Sequence, residues 1–124
     1  MFFIGPSGMS FVSAGDLASE SFDKNDFTQD NTWRELDVSG AVPGGTSLVL
    51  WRIKTTCGTA GYVAKIRPNG YTNEKNMLDL MVIEANKNVC ETFAMVLPPD
   101  HKLEYKFSSI AWGTIDLTVV GWFV

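Results

Sequence analysis

The run Thr114-Ile115-Asp116-Leu117-Thr118-Val119-Val120-Gly121-Trp122-Phe123-Val124 limits what this chain can become more than any other stretch. It is rich in β-branched and aromatic residues, which suit a pleated, packed surface. On strict alternation Ile115, Leu117 and Val119 project to one face, and Phe123 follows them after the small Gly121. Asp116 and Thr118 begin the other face, and Val120, Trp122 and Val124 finish it. A strand that is half polar at its start and apolar on both faces at its end belongs inside a sheet, more covered towards its C-terminal end. The rest of the chain must therefore supply neighbouring strands.

It has the material to do so. From Thr32 onwards, short extended runs alternate with turn chemistry. The expected strands are Trp33 to Val38, Thr46 to Lys54, Tyr62 to Arg67, Met77 to Glu84, Val89 to Leu97, Lys102 to Phe107 and the closing run. Thr46 to Lys54 is apolar on both faces, with Leu48 and Leu50 opposite Val49, Trp51 and Ile53, which marks a second interior strand. Lys102 to Phe107 alternates without fault, Leu103, Tyr105 and Phe107 against Lys102, Glu104 and Lys106. Val42-Pro43-Gly44-Gly45, Pro68-Asn69-Gly70 and Pro98-Pro99-Asp100-His101 separate the runs, because Pro sets φ and Gly or Asn accepts positive φ. Met77 to Glu84 also has apolar residues at helical spacing. It lacks a good helix cap and stands among strands, which assigns it to β. Seven strands, or eight if part of the N-terminal region pairs, at a spacing of roughly ten residues predict an all-β protein. The expected fold is a single antiparallel β-sandwich, jelly-roll-like as first choice and immunoglobulin-like as second, with the strand order left open.

Residues 1–31 read differently and are expected to form an irregular N-terminal arm ahead of a sandwich domain at 32–124. Phe2, Phe3, Ile4, Met9, Phe11 and Val12 stand there among Gly, Ser and Pro. Left free in water these side chains would form an unusual exposed patch, so the arm must pack either on its own domain, as an edge strand for example, or on a neighbour. Met1-Phe2-Phe3-Ile4 is halted at once by Gly5-Pro6, too short to span a bilayer and without a basic lead-in, so neither a signal peptide nor a membrane anchor is expected and an intracellular product is.

The 124 residues carry a net charge of -4, with scattered rather than clustered Lys and Arg, which argues against a nucleic-acid partner. Two cysteines, Cys57 and Cys90, make no disulfide scaffold and have no further Cys or His at metal-ligand spacing. Two free thiols in a reducing compartment are expected, with a single Cys57–Cys90 bridge as the alternative.

No residue pattern spells out catalysis. His101 is the single histidine and sits in a proline turn; a hydrolase would need it to meet Cys57 or a serine in space. Glu35 with Asp37 on a strand, and Asp16 with Glu20 if the arm were helical, are same-face carboxylate pairs without a recognisable cleft. Asp23, Asp26 and Asp30 have irregular spacing and no EF-hand glycine, a poor calcium loop. No cofactor, metal or catalytic residue is expected. A carbohydrate site is conceivable where Asn69, Tyr71, Asn73 and Trp112 fall in expected loops, because aromatic faces and amides together suit sugars.

Several strings also carry a resemblance: Trp33-Arg34-Glu35-Leu36-Asp37-Val38-Ser39 with Val42-Pro43-Gly44-Gly45, Leu50-Trp51-Arg52, and Arg67-Pro68-Asn69-Gly70 with Asn73 and Asn76. Leu103-Glu104-Tyr105-Lys106, Trp112 and Ile115 to Trp122 complete the set. Over residues 32–124 the chain resembles small β-sandwich proteins encoded among the virion structural genes of tailed bacteriophages. The resemblance implies a non-enzymatic virion component made and assembled in the host cytoplasm. A capsid decoration (cement) protein is the expected role, with a tail- or fibre-associated or other carbohydrate-binding jelly-roll module as the alternative. The implied partners are further copies of itself, as a homotrimer, and other virion proteins such as the major capsid protein. Phe2, Phe3, Ile4, Phe11 and Trp122 are the expected subunit contacts.

Overall fold

The structure, a computed structural model, describes residues 10–124. Eight strands form two four-stranded sheets: β1 (Phe11–Ser13), β2 (Arg34–Asp37), β3 (Leu48–Cys57), β4 (Val63–Pro68), β5 (Leu78–Met81), β6 (Val89–Val96), β7 (Lys102–Phe107) and β8 (Trp112–Phe123). One sheet has the order β1-β8-β3-β6, the other β2-β7-β4-β5, and every pairing is antiparallel. The pairs β1–β8, β2–β7, β3–β6 and β4–β5 are those of one long hairpin rolled over on itself, which is the jelly-roll sandwich. The two double-sided strands of the sequence, β3 and β8, are the interior strands of the first sheet. Between the sheets lie Trp51, Ile53, Leu117 and Ile115 from one side and Ile66, Leu103, Tyr105 and Phe107 from the other, all buried.

The N-terminal region supplies the eighth strand. β1 pairs with the end of β8, and Ser10 and Val124 exchange backbone hydrogen bonds of 2.9 and 3.0 Å. Phe22 bridges to Leu117, and Phe27, 4% exposed, enters the core. Its ring lies 4.9 Å from Tyr105 and 5.0 Å from Phe107, both edge-on, while the Thr28 N–H donates to the Tyr105 hydroxyl at 2.9 Å. A short 3₁₀ turn, Lys24–Asp26, sits between them, closed by a capping box between Asp23 and Asp26. Of the two placements open to the arm, residues 10–31 pack on their own domain.

Strict alternation fails twice along β8. Leu50 pairs with Gly121 but Trp51 with Val119, and Thr56 pairs with Thr114 but Cys57 with Trp112. Val120 and Gly113 are therefore extra residues in β8, two β-bulges, and each reverses which way the chain beyond it faces. This corrects the reading of the closing run. Trp122, expected on the far face with Val120 and Val124, pairs with Val49 on the core side, and Phe123, expected on the core side, turns outward beside Leu48. Trp112, expected in a loop, begins β8 on the core side, 1% exposed, with its ring 5.8 Å from Phe107.

Candidate assembly surfaces

The strand register places the outward side chains of each sheet in rows. On the β1-β8-β3-β6 sheet one row is Phe11–Phe123–Leu48–Val96 and the next Ser13–Gly121–Leu50–Ala94. Phe11 and Val96 are 42% and 45% exposed, and Leu48, Leu50 and Phe123 are half-buried. The Phe11 and Phe123 rings meet at 5.3 Å. Further along, the same face turns polar, as Thr118–Arg52–Thr92 and then Asp116–Lys54–Cys90. An apolar band thus crosses all four strands at the end where residue 10 joins β8. Bands of this kind on a soluble surface mark contact sites.

The outer face of the opposite sheet is built the other way. Glu35 pairs with Lys102 (3.3 Å), Glu104 with Arg67 (2.8 Å) and Glu74 with Lys65 (2.7 Å). Arg67 is 8% exposed because the Trp33 ring covers its guanidinium at 3.7 Å. Salt-bonding to Lys65 holds the Glu74 carboxyl below its ordinary range and raises the Lys65 ammonium. Asp37 is likewise lowered by hydrogen bonds from Ser39, whose N–H donates at 2.9 Å, and Asp30 by Arg34. Three acid–base pairs thus hold much of this face's charge within the chain.

The expected contact residues scatter against that frame. Phe2, Phe3 and Ile4 lie outside the described residues. Phe11 is in the apolar band. Trp122, turned by the bulge, instead floors a cleft of about 420 Å³ on the inner side, between β8 and residues 14–22 and 37–41. Asn69, Tyr71 and Asn73 occupy the β4–β5 loop, where the Asn69 amide already donates to Asp100 at 2.7 Å and Gly70 N–H to Glu104 at 3.2 Å. Trp112 is far from them. Asn69 is tied to Lys102 at the start of β7, whereas the Trp112 indole N–H donates to the Ser108 carbonyl just past the end of that strand. A six-residue strand puts them about 20 Å apart. With no exposed ring face, Trp112 serves the core.

His101 adopts a positive φ of 55° in its turn, held by its own N–H on Pro98 and by the Val38 N–H on its carbonyl. It lines a shallow cleft of about 310 Å³ with Thr46 and Ser47, and the Thr46 hydroxyl is buried with no partner among the described residues. Cys57 is buried at the opposite end of β3, and Cys90 is exposed on the outer face, so the two free thiols lie on opposite sides of one sheet. Asp23 and Asp26 are spent on the capping box and Asp30 on Arg34. Among the described residues no group of three or more His, Cys, Asp or Glu is placed to hold a metal ion.

What sequence reasoning missed is the apolar band itself, because the bulge that turns Phe123 outward also aligns it with Leu48 and Val96. A glycine inside a strand run, Gly121, was the available signal. No protein-family model matches the chain, and neither does any curated protein.

Proposed function

We propose that this chain is a non-enzymatic structural protein of a tailed-phage virion, a capsid decoration protein that attaches to other virion proteins through the outer face of its β1-β8-β3-β6 sheet. The observation that carries the reading is the apolar band Phe11–Phe123–Leu48–Val96, set against an opposite face that carries three acid–base pairs within the chain. A surface of that composition favours burial against protein rather than exposure to water. The sequence resemblance to small virion sandwiches supplies the setting. Gold-labelled antibody against the purified chain should mark the heads of phage particles in lysates of cells carrying this sequence. Label confined to tails or fibres would move the chain to that part of the virion, and particles without label would overturn the reading.

A further inference from the structure

Each sheet of a sandwich has two edges, and edges are where chains join other chains. Among the described residues, three of the four edges are guarded. β1 is three residues long. β2 has four and carries Arg34, Glu35 and Asp37, while β5 has four and carries Asp79. The fourth edge, β6, has eight residues, Val-Cys-Glu-Thr-Phe-Ala-Met-Val, with no Pro, no Lys and one charge. It pairs with β3 over its full length without a register shift, so no bulge twists it away.

The phase of that pairing decides what the open side offers. Leu97 N–H donates to the Ser47 carbonyl at 2.8 Å, which continues the β3–β6 ladder by one residue. By alternation Val89, Glu91, Phe93 and Met95 turn their backbone groups to β3, and Cys90, Thr92, Ala94 and Val96 turn theirs to the open edge. The side chains of those four are small and exposed, so they do not hinder a strand's approach. Beside the edge, on the inner side, lies a groove of about 350 Å³ lined by Met77, Leu78, Phe93 and Met95 among others.

We propose that a second copy of this chain pairs antiparallel along the open edge of β6, about a two-fold axis at Phe93, joining two four-stranded sheets into one of eight. The segment is self-complementary about that residue. Thr92 faces Ala94 of the second copy and Cys90 faces Val96, all of them residues whose backbone groups point outward, so these two pairs, each occurring twice about the axis, exchange two hydrogen bonds each. Phe93 faces Phe93 of the second copy as a non-hydrogen-bonded pair, with both rings on the side of the groove. Glu91 lies opposite Met95 of the second copy, which holds the two Glu91 carboxylates about 13 Å apart, beyond the screening length at physiological salt. A two-fold contact of this kind is closed, so it yields a dimer and no fibre. The pairing does not depend on the virion role: particle labelling and solution mass can fail separately.

The test uses two full-length double variants that differ only in the sign of the charge at position 94. In the proposed register, Thr92→Glu with Ala94→Glu sets carboxylate against carboxylate across the axis, whereas Thr92→Glu with Ala94→Lys sets carboxylate against ammonium. Both place the new acid beside Arg52 of the same chain, which tolerates it. By light scattering after gel filtration at about 0.1 mM, where a micromolar contact is saturated, the wild type should run at twice its 13.7 kDa chain mass. The Glu/Glu variant should fall to a single chain mass and the Glu/Lys variant should keep the dimer. A wild type of one chain mass, or of three as in the expected homotrimer, overturns the proposal, and so do two variants that behave alike, as dimers or as monomers.

Discussion

Gly121 is the residue through which β1 and the bulge in β8 depend on each other, and Gly121→Ala tests that dependence. A Cβ at this position would lie 2.2 Å from Phe11 Cζ and 2.5 Å from both Phe11 Cε1 and the Val12 carbonyl oxygen. The phenylalanine ring can swing away at small cost, but the Val12 oxygen is backbone, so β1 itself must shift. Overpacking of this kind costs about 1–3 kcal/mol. The cost is capped, because β1 can let go. Detachment loses the Ser10–Val124 exchange, the Val12–Trp122 pair that continues the same ladder, the bond from Ala14 N–H to Val120 at 2.9 Å and the Phe11–Phe123 contact, at about 1 kcal/mol net per hydrogen bond. Freeing three strand residues returns about 1–2 kcal/mol of backbone entropy each, which offsets most of that loss, so detachment costs no more than the shift. A loss of about 2 kcal/mol is expected, seen as a lower urea midpoint at unchanged slope. Amide exchange should be faster at Ser10, Ala14 and Val124 by more than the global loss of stability, and at Ile53 by no more than that loss. Gly113→Ala, whose Cβ would meet the Thr56 hydroxyl at 3.0 Å and that residue's carbonyl oxygen at 3.4 Å, is the milder control and should cost less than half as much. Equal midpoints for wild type and Gly121→Ala, with the Ala14 amide still protected, would refute the reasoning.

Phe27→Ala should destabilise the fold by about 3–5 kcal/mol, as a fully buried aromatic does; a loss under about 1 kcal/mol in urea unfolding would show that the ring is not part of the core. The pH dependence follows from Asp30, Asp37 and Glu74, whose carboxyls are all held below their ordinary values. Each contributes stability that is fully present above its unfolded value near pH 4 and is lost as the pH falls through the lower folded value. The urea midpoint should therefore decline below about pH 4, and more shallowly in the triple variant Asp30→Asn, Asp37→Asn, Glu74→Gln; identical acid limbs would remove these groups from the account.

The strands and their turns were legible because both rest on local chemistry. Alternation in Lys102–Phe107 and double-sided runs at β3 and β8 survive in the structure, and Gly45 and Gly70 take the positive φ values of 83° and 91° that their turns demand. Facing was legible only between bulges. One extra residue at Gly113 and another at Val120 reverse the parity of everything beyond, which sent Trp112 and Trp122 to the core side and Phe123 to the surface. The place of Phe27 could not be read locally at all. Its neighbours are polar and aperiodic, and its partners Tyr105 and Phe107 stand at the far end of the chain, so only the closed sandwich makes the site that receives it.

The apolar band is not a by-product of the core. Outward positions of a strand are free of the core's demands, and β7 shows how this sequence fills them when they face water: Lys102, Glu104 and Lys106 alternate with the buried Leu103, Tyr105 and Phe107. The corresponding outward positions at the start of β3 and the ends of β6 and β8 hold Leu48, Leu50, Val96 and Phe123 instead. These come from three separate runs and meet only because the register, including the Val120 bulge, lines them up. Their side chains point away from the sandwich interior, and beyond the Phe11–Phe123 ring contact the two-sheet core gives no reason for them. Their shared apolar character therefore takes an explanation other than the core. Burial against another protein provides one, and Val96, which ends the band on the open β6 edge, joins that surface to the proposed two-fold contact.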